Sequence, residues 1–206
     1  ATIVNSFVSK NEDLILANAT APLQSAAAAT TDIPILGTSV TDYATALDIS
    51  DWSGTTGRNI SGTSDLAPLS EQAAMLNELF PDAKNVGLLY CSAEANSQYQ
   101  IDVIKEELEK LNYTCTAYSF VDSNDIASVV QSAVNDNDVL YVPTDNTAAS
   151  NTEVINNIAG EAGVPIIAGE AGICKGCGVA TLSISYYDLG YQTGKMAYEI
   201  LVNGAD

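Results

Sequence analysis

Histidine is missing from all 206 residues, and that absence alone removes Ser-His-Asp and Cys-His catalysis, histidine-containing zinc sites and the usual proton carrier near neutral pH. Basic side chains are scarce. Seven lysines and arginines stand against 26 acids, for a formal charge of −19, and Arg58 is the sole guanidinium. Such a surface repels a phosphate backbone or an anionic membrane, so nucleic acid is not an expected partner. No apolar run reaches the roughly 20 residues of a membrane span. The chain does not open on the charged and apolar regions of a signal peptide, which is expected to have been removed or never included. G-x-S-x-G and phosphate-loop signatures are absent as well. No enzyme activity, metal or cofactor is expected.

What is present is enough for real cores: 47% of residues are hydrophobic and the mean hydropathy is +0.10, which suits one large or two small domains. The four cysteines are Cys91, Cys115, Cys174 and Cys177. An even count permits two disulfides, and Cys174-Lys175-Gly176-Cys177 admits three readings: a redox pair, half a zinc site, or a structural or incidental pair. The motif reads as a Gly-rich turn between strand-like segments, which favours the last. Cys91 and Cys115 fall in predicted strands, and the disulfide pairing stays open.

Along the chain one grammar repeats, an apolar strand followed by a polar tip and a helix. Residues 2–9 have helical spacing. Asp13 to Ala17 is a strand ending in Asn18-Ala19-Thr20, with Thr20 read as the N-cap of an alanine-rich helix to about Thr30 and Pro22 in its first turn. Ile33 to Gly37 is the next strand, followed by Thr38-Ser39-Val40-Thr41-Asp42. Residues 48–59 read as a loop, 59–63 as extended, and Leu69 to Leu79 as a helix. Strands are predicted at 85–90, 113–121, 138–142 and 164–168. Helices are predicted over 98–111, 126–134, 147–162 and 187–202, with 178–184 extended. Strands and helices alternating at this spacing imply parallel sheet and right-handed crossovers, hence an α/β fold. Two such series joined by extended segments at 59–65 and 181–186 imply two lobes, residues 1–63 with 184–206 and residues 64–183.

The tips Asn18-Ala19-Thr20, Gly62 to Pro68, Glu94-Ala95-Asn96-Ser97, Tyr141 to Asn146 and Tyr186 to Gly194 together resemble ABC-transporter substrate-binding proteins of the tryptophan or aromatic-amino-acid type. The resemblance runs along essentially the whole chain. It implies a type I periplasmic-binding-protein fold, with two Rossmann-like lobes of parallel sheet flanked by helices around a cleft. It also implies an incomplete N-terminal lobe, lacking its first strand-helix-strand portion and a last crossing strand, so that the sequence is expected to be either a trimmed fragment or a chain completed by another through a dimer or strand exchange. Tyr43, where the resemblance leads one to expect proline, and the C-x-x-C segment depart from the family pattern. Function follows as extracytoplasmic solute binding for an ABC permease, on the cell surface as a lipoprotein or in the periplasm. The rival is a ligand-sensing domain of a receptor or regulator with the same fold.

A zwitterionic amino acid needs donors for its carboxylate, acceptors for its ammonium and a pocket for its side chain. Candidate binding residues are Thr20, Ser39, Asp42, Asp65, Glu94, Asn96, Ser97, Asp145, Asn146 and Glu170, all at strand tips. Thr20, and Asn96 with Ser97, are candidate carboxylate donors at helix starts. Asp145 is the candidate ammonium anchor, with Asn146, Glu170 or Asp65 completing the shell. Blander readings stand beside these: Thr20 and Asp145 as simple N-caps, and Glu94 as a solvated loop carboxylate. Tyr43, Trp52, Tyr90 and Tyr186 are candidate pocket aromatics, although Tyr90 sits in a strand and is better read as core, whereas packing is the expected role of Tyr187, Tyr191 and Tyr198.

Overall fold

A computed structural model of the chain describes residues 2–205. In chain order its elements are α1 (Thr2–Lys10), β1 (Ile15–Asn18), α2 (Thr20–Ala29), β2 (Ile35–Val40), α3 (Tyr43–Leu47), β3 (Ile60–Ser64), α4 (Leu69–Leu79), β4 (Asn85–Cys91) and α5 (Ala95–Lys110). There follow β5 (Thr114–Phe120), α6 (Ile126–Asp136), β6 (Val139–Val142), α7 (Asn146–Ala149), α8 (Thr152–Ala162), β7 (Ile166–Ala168), α9 (Ala171–Cys177), β8 (Ala180–Thr181) and α10 (Tyr186–Asn203). Internal contacts divide the chain into two compact units. The first runs to Leu66 and resumes at Ser185; the second is Ala67–Ile184.

The first unit is built on a parallel sheet of order β1-β2-β3, with Ile15 opposite Ile35 and Ile35 opposite Ile60. Those three isoleucines, with Leu23 and Ala26 of α2 and Val40, Tyr43 and Leu47, form its core. Register shifts between Gly37 and Val40, where Ser39 sits at φ 54, so the end of β2 bulges. Gly37 and Gly62 are opposite one another, and a Cβ on Gly62 would lie 2.1 Å from Tyr43 Oη and 2.2 Å from Gly37 O. The two glycines leave a flat floor on which the Tyr43 ring rests, and its hydroxyl donates to Thr63 O at 3.0 Å.

The second unit has a parallel sheet of order β5-β4-β6-β7-β8. Its central strands are covered on both faces, and the two-residue period sorts their side chains between two cores. Val86, Leu88 and Tyr90 of β4, with Val139 and Tyr141 of β6, pack against Leu69 and Leu76 of α4 and against Ile101, Ile104 and Leu108 of α5. Leu89 and Cys91, with Leu140 and Val142, face the opposite way onto Ile126 and Val130 of α6, Ile155 of α8 and Ile173 of α9. Each fully buried Leu or Ile of these layers contributes about 1.5–3 kcal/mol.

Several sequence expectations change. Thr20 is the first residue of α2 rather than its cap; that position falls to Ala19, at φ 87, with no side-chain cap. Strand β2 runs past Gly37 to Val40, and α3 follows it because Asp42 accepts from Thr45 N at 2.7 Å. Helix α5 begins at Ala95, three residues before Gln98. The predicted 147–162 helix is two, α7 and α8, parted at Ser150-Asn151, where the Asn151 amide donates to Thr147 O at 2.7 Å.

The C-x-x-C segment is not a turn. It lies on α9, which forms because the Glu170 carboxylate accepts from the N–H groups of Gly172 and Ile173 and Ile173 is fully buried. All four thiols are free. Cys115 pairs with Val86 and Cys91 with Phe120, five positions apart along β4, so about 17 Å separates them at roughly 3.3 Å per residue. A disulfide between those two is out of reach. Burial, then the neighbouring charges of Cys174 and Glu170, push the Cys177 thiol up to about 12. Lastly, Tyr187, Tyr191 and Tyr198 are 81, 65 and 57% exposed, so they do not pack. The inward stripe of α10 is Leu189, Thr193, Met196, Ala197 and Ile200, and the tyrosines fall on the opposite side of the helix.

Candidate functional site

At the carboxyl edge of the second unit's sheet, β4 runs into α5 and β6 into α7, and the two joints are stitched together by carboxylates. Asp145 caps α7, accepting from Ala148 N and Cys91 N, each at 2.7 Å. It is 1% exposed, so both the binding role and the capping role fall on a side chain already committed to backbone. Burial, followed by the charge of Glu94, raises its carboxyl above the ordinary value against the hydrogen bonds from Ala148, Cys91 and Ser97.

Glu94 is not a solvated loop acid. Its carboxylate accepts from Asn146 N (3.0 Å), Asn146 Nδ2 (2.8 Å), Thr147 N (2.9 Å) and Thr147 Oγ1 (2.7 Å). Burial opposes its charge, but the hydrogen bonds from Asn146 and Thr147 outweigh that and hold the carboxyl below its usual value. Asn96 and Ser97 are buried in the first turn of α5; the Asn96 amide donates to Glu94 Oε2 (3.3 Å) and Thr144 O (3.2 Å). The N–H groups at the starts of α7 and α9 are therefore taken by the protein's own acids, whereas α5 begins without a side-chain cap. Glu170, half-buried at the tip of β7, does the same for α9. An edge that gathers Glu94, Asp145 and Glu170 favours a cation and disfavours an anion.

In the first unit the tips are held differently. Asp65, 3% exposed, accepts from Thr41 Oγ1 at 2.9 Å and from Tyr186 Oη at 3.0 Å. Thr63 and Thr193 share a hydroxyl hydrogen bond of 2.8 Å. Ser39 is half-buried on the bulge of β2, Asp42 caps α3, and Thr20 is buried at the start of α2. Because Ala19 offers no side chain to that helix, its first N–H groups meet no carboxylate cap. A cavity of about 760 Å³ runs along β3 from Asn59 to Ser64, lined also by Tyr43, Trp52, Arg58 and Ile200 among others. Tyr90 is a core residue. Among the described residues no group of His, Cys, Asp or Glu is arranged to hold a metal, and no helix is long and apolar enough to cross a membrane.

Two polar residues that matter here were not singled out from the sequence: Gln72 and Gln100, both 0% exposed. The signal was a glutamine on the inward stripe of an amphipathic helix, beside Leu69, Ala73 and Leu76 in one case and Ser97, Ile101 and Ile104 in the other.

The chain is similar to a tyrosine-binding protein of Clostridioides difficile, 37% identical over 200 residues, which are 97% of this chain and 58% of that relative's length. Its structure matches an ABC domain from Streptococcus pneumonia in complex with L-Trp, with a TM-score of 0.94 and 32% identity, covering 100% of this chain and 70% of that one. It also matches the ligand-free, open structure of a Clostridium difficile substrate binding protein with adhesive properties, at TM-score 0.70 and 38% identity, over 100% and 69% of the two chains. The fold is that of type I periplasmic-binding proteins, parallel sheets flanked by helices, and these relatives are binding proteins rather than enzymes. A family model described as ABC transporter substrate binding protein matches residues 1–205, and the chain belongs to that family.

Proposed function

We propose that this chain takes up an aromatic L-amino acid as the extracytoplasmic solute-binding part of an ABC importer. The observation that carries the reading is a contrast between particular strand tips: Glu94, Asp145 and Glu170 gather at the second unit's edge and occupy the N–H groups of α7 and α9, whereas α2 in the first unit begins with no carboxylate of its own. An ammonium suits the former and a carboxylate the latter. Glu94, Asn146 and Glu170 are the groups offered to the ammonium, with the buried Asp145 adding negative charge from behind. Thr20 and the N–H groups after it are offered to the carboxylate. The names of the relatives, one tyrosine-binding and one solved with L-Trp, favour an aromatic side chain. No chemistry on the ligand is required, since a binding protein acts by stabilising one conformation over another.

Calorimetry across the twenty L-amino acids and a few nucleosides tests the reading. Micromolar or tighter binding is expected for tyrosine, tryptophan or phenylalanine. Heat from none of the three, or from a nucleoside instead, overturns it.

A further inference from the structure

In the second unit the backbone of three successive strand tips is gripped by two side chains that sit wholly inside the protein. The Gln100 amide donates from Nε2 to Thr144 O at 2.9 Å and to Asn96 O at 3.0 Å, while its Oε1 accepts from Thr144 N at 3.0 Å. It thus reads both backbone groups of the residue at the end of β6. The Gln72 amide donates to Gly169 O at 3.1 Å and Leu182 O at 2.7 Å, and its Oε1 accepts from Tyr141 Oη at 2.5 Å. That holds the ends of β7 and β8 against the middle of β6.

The two grips meet. A Cβ on Gly169 would fall 2.6 Å from Thr144 N and 2.7 Å from Pro143 C, so the tips of β6 and β7 touch backbone to backbone at a contact that only glycine permits. A continuous line of hydrogen bonds and close packing therefore runs Asn96, Gln100, Thr144, Gly169, Gln72, Leu182 across the carboxyl edge of the sheet. Every candidate ligand residue of this unit hangs from it. Asp145 and Asn146 follow Thr144, Glu170 follows Gly169, Asn96 donates to Thr144 O, and Glu94 is tied to Asn146 and Thr147.

Hydrogen bonding of this completeness is costly to lose: each buried amide uses both donor hydrogens and its acceptor, and any one left unpaired bears its desolvation penalty. A glutamine kept only to fill space could be replaced by methionine, which matches its length and shape. We propose that Gln72 and Gln100 are positioning residues, a brace that sets the spacing of the strand tips and through them the affinity of the ligand-binding site, without touching the ligand. The proposal rests on the binding reading above for its affinity half and on geometry alone for its spacing half.

The test uses the whole chain with L-tyrosine and L-tryptophan as probes. Gln100→Met and Gln72→Met are compared with Ile104→Val and Leu76→Ala, core changes on the same two helices that lower stability without touching the tips. Affinity is measured by calorimetry at a temperature where circular dichroism shows every variant folded. Amide hydrogen exchange is followed at Thr144, Asp145, Gly169 and Glu170. The glutamine variants are expected to weaken binding about tenfold or more, the equivalent of a net buried hydrogen bond, and to speed exchange at the tips by at least about as much. The core variants are expected to lower the unfolding midpoint while leaving both within about twofold. Gln100→Glu keeps an acceptor for Thr144 N and is expected to fall between; it also serves if the methionine variant does not fold. Unchanged exchange at the tips, or affinity losses that simply follow stability across both sets, overturns the brace. If the unaltered protein gives no heat with either amino acid or with L-phenylalanine, the ligand reading fails, and the brace is judged by exchange alone.

Discussion

The carboxyl edges of the two units follow the same strand-tip-helix grammar and satisfy it with a different balance of groups. In the second unit Asp145 and Glu170 cap the helices that follow their strands, Glu94 takes the N–H groups of Asn146 and Thr147, and two buried amides hold the backbone behind them. In the first unit Asp42 caps α3, and elsewhere hydroxyls do the holding: Thr41 and Tyr186 on Asp65, and Thr63 on Thr193. There α2 starts from Ala19 in a left-handed backbone with no carboxylate cap. The difference teaches that a strand-to-helix joint is not an anion site by virtue of its topology. Whether the positive end of the helix is available depends on whether a nearby acid already occupies it.

The largest effect expected from breaking this comparison comes from the glycines that let each edge close. Gly62→Ala forces a methyl within about 2 Å of both Gly37 O and the Tyr43 hydroxyl, and Gly169→Ala forces one onto the Thr144 amide. Each is expected to cost about 3 kcal/mol or more in urea unfolding, with Gly62 the worse because its φ of 155 also strains any side chain. Equal, small losses would show that both edges relax freely and that the closure described here is not tight.

Next come the caps. Asp145→Ala leaves Ala148 N and the buried Cys91 N without their acceptor and is expected to destabilise by about 2–4 kcal/mol, whereas Asp42→Ala, which loses one bond at a more exposed cap, is expected to cost about 1 kcal/mol. In the binding assay Asp145→Ala is expected to abolish the calorimetric signal. A ranking in the reverse order would mean that the second unit's edge is not the more firmly built.

The smallest effect is in pH. Glu94 is held below its ordinary value, so its contribution is present above the unfolded value of about 4.3 and is lost as pH falls through the lower folded one. Asp145 runs the other way: raised by burial, its contribution is present below about 3.9 and is lost as pH climbs through its folded value. Glu94→Gln is therefore expected to flatten the fall in stability on acidification below about pH 4. A curve that keeps the unaltered protein's slope there would remove Glu94 from the account.

Much of this was written in the sequence where burial is two-sided or periodic. Asp138 to Val142 could be little else than a buried strand, and Leu69 to Leu79 was bounded by Pro68 and by its apolar spacing. Short helices were not legible. The helices α3 and α9 exist because one acid at each start accepts backbone N–H groups, and two glycines within Ala171–Cys177 argue locally for a turn. The positions of Asp145 and Glu94 were legible too, but their burial was not, since it depends on β4 and β6 being neighbours in the sheet. The same holds for Gln72 and Gln100, whose partners are 97 and 44 residues away.

Trp52, the chain's single tryptophan, is 45% exposed in the loop ahead of β3. Its emission is therefore a built-in reporter of the first unit alone: red-shifted and quenchable by acrylamide in the folded protein, and silent about the second unit, which contains no indole. With L-tyrosine as the titrant, excitation at the red edge of indole absorption reads that unit's response free of the ligand's own light. Amide exchange at Thr144 and Gly169 reads the other.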